Sequence, residues 1–297
     1  MGQRQVDRHL FEVLGDDIKR ACFSYIPNTA ETAFLGLLEA IGGAMRSKMA
    51  DHLWDKIQDG SVTREDLSGL NSVRVKAELI AHKDQRLRTF ITHDAARRDL
   101  VAHIYDITRG LVGEDDTLVV LDDSIVRGTT LRESIIISLS RLKPKRIVIV
   151  SSAPPIMYPD CYGIDMSQLG KFIAFEAAIA LTKDAGNQEL LDEIATKCKE
   201  QEQLQTSKMQ NAVKTLYDQF SLKEISCKIA ELVLPQNLAW KGQLDVIYQD
   251  VHGLRAAMPD YTGDWYFTGD YPTPGGNAVV NRAYLNWHGG DDATRAY

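Results

Sequence analysis

The spacing of apolar positions changes several times along the chain, and each change marks an element. Residues 20–26, RACFSYI, form a short β-type run closed by Pro27 and Asn28. In TAETAFLGLLEAIGGAMRSKM the apolar residues recur three and four apart, which predicts a helix with Thr29 as its cap and Glu31 and Thr32 in its first turn. Residues 51–72 are polar and mixed, with DGS and SGLNS as turn signals, and the pattern assigns them no element. VRVKAELIAHKDQRLRTFITHD has β-branched residues at both ends and a basic centre, so two strand-like arms joined by a charged, mobile loop are expected. AARRDLVAHIYDITRGLV then returns to helical spacing and stops near Gly110.

TLVVLDD is an almost continuous apolar run, as expected of a strand covered on both faces in a parallel sheet. LRESIIISLSRLK follows with helical spacing, Pro144 ends it, and KRIVIVSSAPP supplies a second buried strand. Strand, helix and strand make one βαβ unit, so the expected fold class is α/β, an open and mostly parallel sheet flanked by helices. After YGIDM, residues 167–231 are rich in helix formers, with a polar patch KCKEQEQLQTSKMQ that is either a solvated helix or an inserted excursion. A tail rich in Gly, Pro, Trp and Tyr ends the chain. Residues 1–166 are expected to form the core, with a largely helical region and tail, 167–297, packed on it.

Composition narrows the function classes. The 297 residues are 44% hydrophobic, enough for one large core or two smaller ones. A net charge of -7 argues against a nucleic-acid partner, because backbone binders present a basic face, and an anionic substrate would need a local positive trap. No apolar run reaches about 18 residues, so no membrane partner is expected. The polar start MGQRQVDRHLFEVLGDDIKR carries both charge signs and reads as no secretory signal, which favours the cytoplasm. Cys22, Cys161, Cys198 and Cys227 are widely separated without a CxxC pair, so ordinary reduced thiols are expected.

The chemistry concentrates in LDDSIVRGTTL. Asp122 and Asp123 end a predicted central strand, which is where open α/β sheets bind ligands. Ser124, Ile125, Val126, Arg127, Gly128, Thr129 and Thr130 then form a tight loop opening a helix near Leu131. A phosphate there would meet backbone N–H groups, three hydroxyls and the positive end of the helix dipole, and Gly128 lets the backbone approach closely. Two carboxylates would repel that phosphate, so they suit an adjacent group that donates hydroxyls, or a bridging Mg2+. A ribose 5-phosphate meets both demands. The plainer alternative is a strand-to-helix turn whose aspartates only cap the helix and pair with Arg127 or Arg132.

VVLDDSIVRGTT resembles the phosphoribosyl pyrophosphate (PRPP) signature of the type I phosphoribosyltransferases, and its SIVRGTT form is similar to the amidophosphoribosyltransferase branch. In the family's order, FSYIPNTAETA resembles its pyrophosphate-loop segment and RTFI its flexible-loop segment. SSAPPIMYPDCYGIDM resembles the strand and loop after the signature, and YFTGDYPT the C-terminal end. The resemblance implies the type I phosphoribosyltransferase fold and conversion of PRPP and ammonia to 5-phosphoribosylamine and pyrophosphate, the first step of purine synthesis. It implies that residues 124–130 and Asn28 contact PRPP, and that Asp122 and Asp123 hold the ribose or Mg2+. Thr29 would serve the metal and pyrophosphate, and Arg88, with Lys83, would act from the closing loop. Without the resemblance, Lys83, Arg86 and Arg88 read as a solvated charged stretch, and Tyr162 and Gly163 as loop structure.

The resemblance also implies a homo-oligomer and purine nucleotides as feedback ligands. Family members carry an N-terminal glutaminase domain with an N-terminal cysteine nucleophile, whereas MGQRQ leads into the phosphoribosyltransferase segment by Cys22. Ammonia rather than glutamine is therefore the expected nitrogen source for this chain, with a glutaminase domain or subunit as a candidate partner. Some relatives hold an iron–sulfur cluster through a C-terminal CxxC; the spacing here departs from it, and no cluster is expected. Two other functions share the acidic pair: a salvage transferase adding a base to PRPP, and a non-catalytic PRPP-binding regulator.

Overall fold

The computed structural model describes residues 10–27, 29–72, 74–83, 105–108, 110–162, 166–261, 263–291 and 294–296. Its contacts form two compact units. One comprises Met1–Asp123, Ile137–Ser152 and Ala239–Ile247, the other Ser124–Ile136, Ala153–Leu238 and Tyr248–Tyr297.

The first unit is built on strands β1 (Ala21–Tyr25), β2 (Lys76–Ala77), β5 (Thr117–Asp122), β6 (Arg146–Ser151) and β7 (Gln243–Tyr248), in the sheet order β2-β1-β5-β6-β7. The pairs β2/β1, β1/β5 and β5/β6 are parallel. Alternation along the strands sends Ala21, Phe23, Val119, Leu121, Val148 and Val150 to one face. There they pack with Leu10, with Leu14 of the short helix α1 (Phe11–Leu14), and with Phe34, Leu37 and Ile41, a stripe spaced three and four apart on helix α2 (Glu31–Gln58). The alternate residues Cys22, Leu118, Val120, Ile147 and Ile149 are fully buried too, so the central strands are covered on both faces as their apolar runs predict. Ser24, buried among them, accepts the Ile80 N–H at 3.1 Å.

Several elements differ from the sequence expectation. Helix α2 runs nine residues past Met49, and residues 64–72, left unassigned, form α3 (Arg64–Ser72). Within AARRDLVAHIYDITRGLV, Tyr105–Ile107 is not helix but strand β4, antiparallel to β3 (Ala81–Lys83). Its β-branched and aromatic residues favour extension once a partner strand is present. The segment after the signature begins as a π turn, Leu131–Ile135, and continues as α4 (Ile136–Ser140). It ends before Pro144, and Lys143 turns the chain at φ 52°.

The second unit is mainly helical: α5 (Ile173–Asp184), α6 (Glu189–Glu202), α7 (Lys214–Tyr217), α8 (Leu222–Val233), α9 (Val251–Ala257), α10 (Trp265–Thr268) and α11 (Pro274–His288). Ser221 and Glu224 form a capping box that starts α8. The polar patch proves to be both alternatives in turn, helix as far as Glu202 and then a 3-10 turn, Thr206–Lys208. The tail is ordered as well, since Pro274 opens a 15-residue helix. Among the described residues no helix is long and apolar enough to cross a membrane.

Candidate functional site

Strand β5 places Asp122 and Asp123 at its carboxyl end, as the sequence predicts, and the first unit fixes them from two sides. After β1 the chain stays against β5, the Ile26 N–H donating to the Leu121 carbonyl at 2.8 Å. That course brings Thr29 to the acids, and its Oγ1 donates to Asp123 Oδ2 at 2.7 Å. The cap reading of Thr29 is therefore corrected: Ala30 precedes the helix in αR geometry without a side-chain cap, and the Thr29 hydroxyl is spent on a carboxylate instead.

The second support was not foreseen from sequence. Ser152, just past β6, donates its backbone N–H to the Asp122 carbonyl at 2.9 Å and its Oγ–H to the Asp123 carbonyl at 3.1 Å. Asp122 Oδ1 also accepts the Asp123 N–H at 2.9 Å. Main chain and carboxylates are thus held in place at half-buried positions, which suits preorganised acceptors. The signal for Ser152 was available in SSAPP, a polar pair ending an apolar strand, but only the β5/β6 register, Asp122 opposite Ser151, gives it a partner.

Residues 124–130 belong to the second unit and are described there. The Val126 carbonyl accepts the Ile173 N–H at 2.9 Å, and the Gly128 carbonyl accepts the Arg132 N–H at 2.9 Å. Gly128 takes φ +67°, and a Cβ there would lie 2.9 Å from Ile173 Cγ1, so both the turn and the packing require glycine. Ile125 is 4% exposed and can offer only main chain to a ligand. Ser124, Arg127 and Thr129 are half-buried and Thr130 is exposed, so their polar groups remain within reach of solvent. Ile136 N–H reaches back to the Leu131 carbonyl, a widened turn of the kind often found beside functional sites.

Asn28 and Arg88 lie outside the described residues, as do Arg86, Gly163 and most of the basic segment expected to form a loop. Lys83 is placed as the last residue of β3, opposite Tyr105, with its side chain outside the described residues.

No family model matches the chain. A segment of 176 residues is 30% identical to the amidophosphoribosyltransferase of Pseudomonas aeruginosa, covering 59% of this chain and 28% of that protein. A segment of 91 residues is 35% identical to the amidophosphoribosyltransferase of Schizosaccharomyces pombe, covering 29% of this chain and 17% of that protein. The chain thus spans less than a third of the length of these curated relatives. A solved structure, glutamine PRPP amidotransferase from Bacillus subtilis complexed with ADP and GMP, aligns with 85% of this chain and 38% of its own at 21% identity and a TM-score of 0.43.

Proposed function

We propose that this chain is a phosphoribosyltransferase that converts PRPP and ammonia to 5-phosphoribosylamine and pyrophosphate. The observation that carries the reading is the run LDDSIVRGTT at the carboxyl end of β5, with its acids held by Thr29 and Ser152 and its loop bent at Gly128. The partial identity to amidophosphoribosyltransferases supports the same reading.

In this reading the backbone N–H groups of residues 124–130, with the hydroxyls of Ser124, Thr129 and Thr130, take the 5-phosphate. Asp122 and Asp123 accept from the ribose hydroxyls. Their oxygens and the Thr29 hydroxyl are hard donors that fit Mg2+, although among the described residues no group of three or more His, Cys, Asp or Glu could hold a metal. Held by these residues, Mg2+ would supply charge neutralisation for the departing pyrophosphate. The protein's own contribution is to fix C1 and the leaving group in line, and no protein nucleophile is needed.

The test is pyrophosphate release from PRPP and Mg2+, with ammonium chloride or with glutamine, beside Asp123→Asn. Release with ammonium that is lost in the variant is expected. Tight PRPP binding without release would move the assignment to a PRPP-binding regulator, and release driven by a purine base but not by ammonium would move it to a salvage transferase.

A further inference from the structure

A cleft in the second unit plays no part in the chemistry above. Its volume is about 250 Å3, and its walls include Tyr158, Tyr217, Phe220, Ile225 and Phe267, with Asp218 as the carboxylate among its lining residues. The walls are fixed: the Tyr158 and Tyr217 rings meet edge to face at 5.2 Å, and the Tyr217 hydroxyl donates to the Met157 carbonyl at 2.7 Å. Two of the rings lining the cleft are thus held by the protein itself.

Charge at the cleft is unbalanced. Burial raises the Tyr158 phenol well above its usual range, and Asp218 and then Asp270 add to that rise, so both carboxylates act on the same hydroxyl. Lys214 pairs with Asp270. Among the described residues no ion pair involves Asp218, so it stands as the charged lining residue of the cleft, a carboxylate beside the rings. Aromatic faces carry negative quadrupole potential and attract a cation, most strongly where water is displaced. A neutral ligand gains only the apolar walls, and an anion is repelled by Asp218.

We propose that this cleft binds a small primary amine, its ammonium at Asp218 and its apolar stem against Phe220 and Phe267. The volume lies below the roughly 300–1,000 Å3 of drug-sized sites, which limits the occupant to a short-stemmed amine.

The test uses the full chain without PRPP or Mg2+, so its outcome is separate from that of the phosphoribosyl assay. Calorimetric titration with n-hexylammonium is compared with n-hexanol and hexanoate. Saturable binding of the amine is expected, with the alcohol weaker by about tenfold and the carboxylate not bound. Asp218→Asn, at an exposed position, should weaken the amine by about threefold and leave the alcohol unchanged, whereas Phe267→Ala should weaken both. Equal affinity for amine and alcohol, an amine affinity unchanged by Asp218→Asn, or no saturable binding would overturn the assignment. Tighter binding of N-acetyl-lysine amide than of hexylammonium would also overturn it, in favour of a lysine side chain from a partner protein.

Discussion

The face around Phe23, Leu37 and Val148 in the sheet unit is packed by apolar side chains, whereas helix α11 in the other unit is also tied in place by an amide and a phenol. Asn281, 1% exposed, accepts from the Ala212 N–H at 3.1 Å and from the Cys198 thiol at 3.6 Å, and donates to the Gln210 carbonyl at 2.8 Å. Tyr284 donates to the Leu191 carbonyl at 3.0 Å while its ring packs beside Phe175 and Trp287. Apolar burial sets how much free energy a core supplies but is tolerant of shape, whereas buried polar groups demand particular partners. The sheet should therefore respond to lost volume, and the helical unit to lost hydrogen bonds.

The largest effect is expected from Leu37→Ala, fully buried on α2, which should cost about 2–5 kcal/mol in urea unfolding. A loss below about 0.5 kcal/mol, as at ordinary surface sites, would break the comparison on its first side. Next is Asn281→Ala, which removes little volume but strands an N–H and a carbonyl; about 1–3 kcal/mol is expected, with faster amide exchange at Ala212. Unchanged exchange there would show that the polar ties are dispensable.

Gly128→Ala probes the loop. Its left-handed backbone should cost about 1–2 kcal/mol, and the Ile173 contact should displace residues 124–130, so pyrophosphate release should fall more than stability does. Parallel losses of both would reduce Gly128 to a packing residue. The smallest effect concerns Asp66, whose carboxyl is held down to about 2 by Lys56 and then by the N–H and hydroxyl of Thr63. Because the folded value is depressed, this contribution is present above the unfolded value near about 3.9 and is lost as pH falls toward the folded one. Asp66→Asn should flatten the acid limb of a stability profile in that window alone.

How far the sequence foretells these two regions follows from the same contrast. TLVVLDD and KRIVIVSS are legible because a strand buried on both faces must be apolar throughout, and the acids that end the first have few physical uses. QLDVIY is hard to read as β7 because Gln243 and Asp245 interrupt its apolar positions and it lies just before a tail rich in Gly, Pro, Trp and Tyr. Tyr105–Ile107 was missed because pairing with Ala81–Lys83, and not local spacing, decides its state. At the candidate site, residue types pointed to the acids and the loop, but the hydrogen bonds of Thr29 and Ser152 join residues 94 and 29 positions apart, and no local pattern encodes them.

The cysteines, ordinary thiols by every spacing rule, turn the two regions into separately readable ones. Cys22 on β1 and Cys198 on α6 are both fully buried, one in each unit, and burial pushes their thiols up to about 11 and about 12. Alkylation needs both access and thiolate, so neither should react until its own surroundings open. Cys227 is exposed and supplies the fast reference. Iodoacetamide labelling of the unaltered protein, read peptide by peptide, would therefore time the opening of the sheet and of the helices independently.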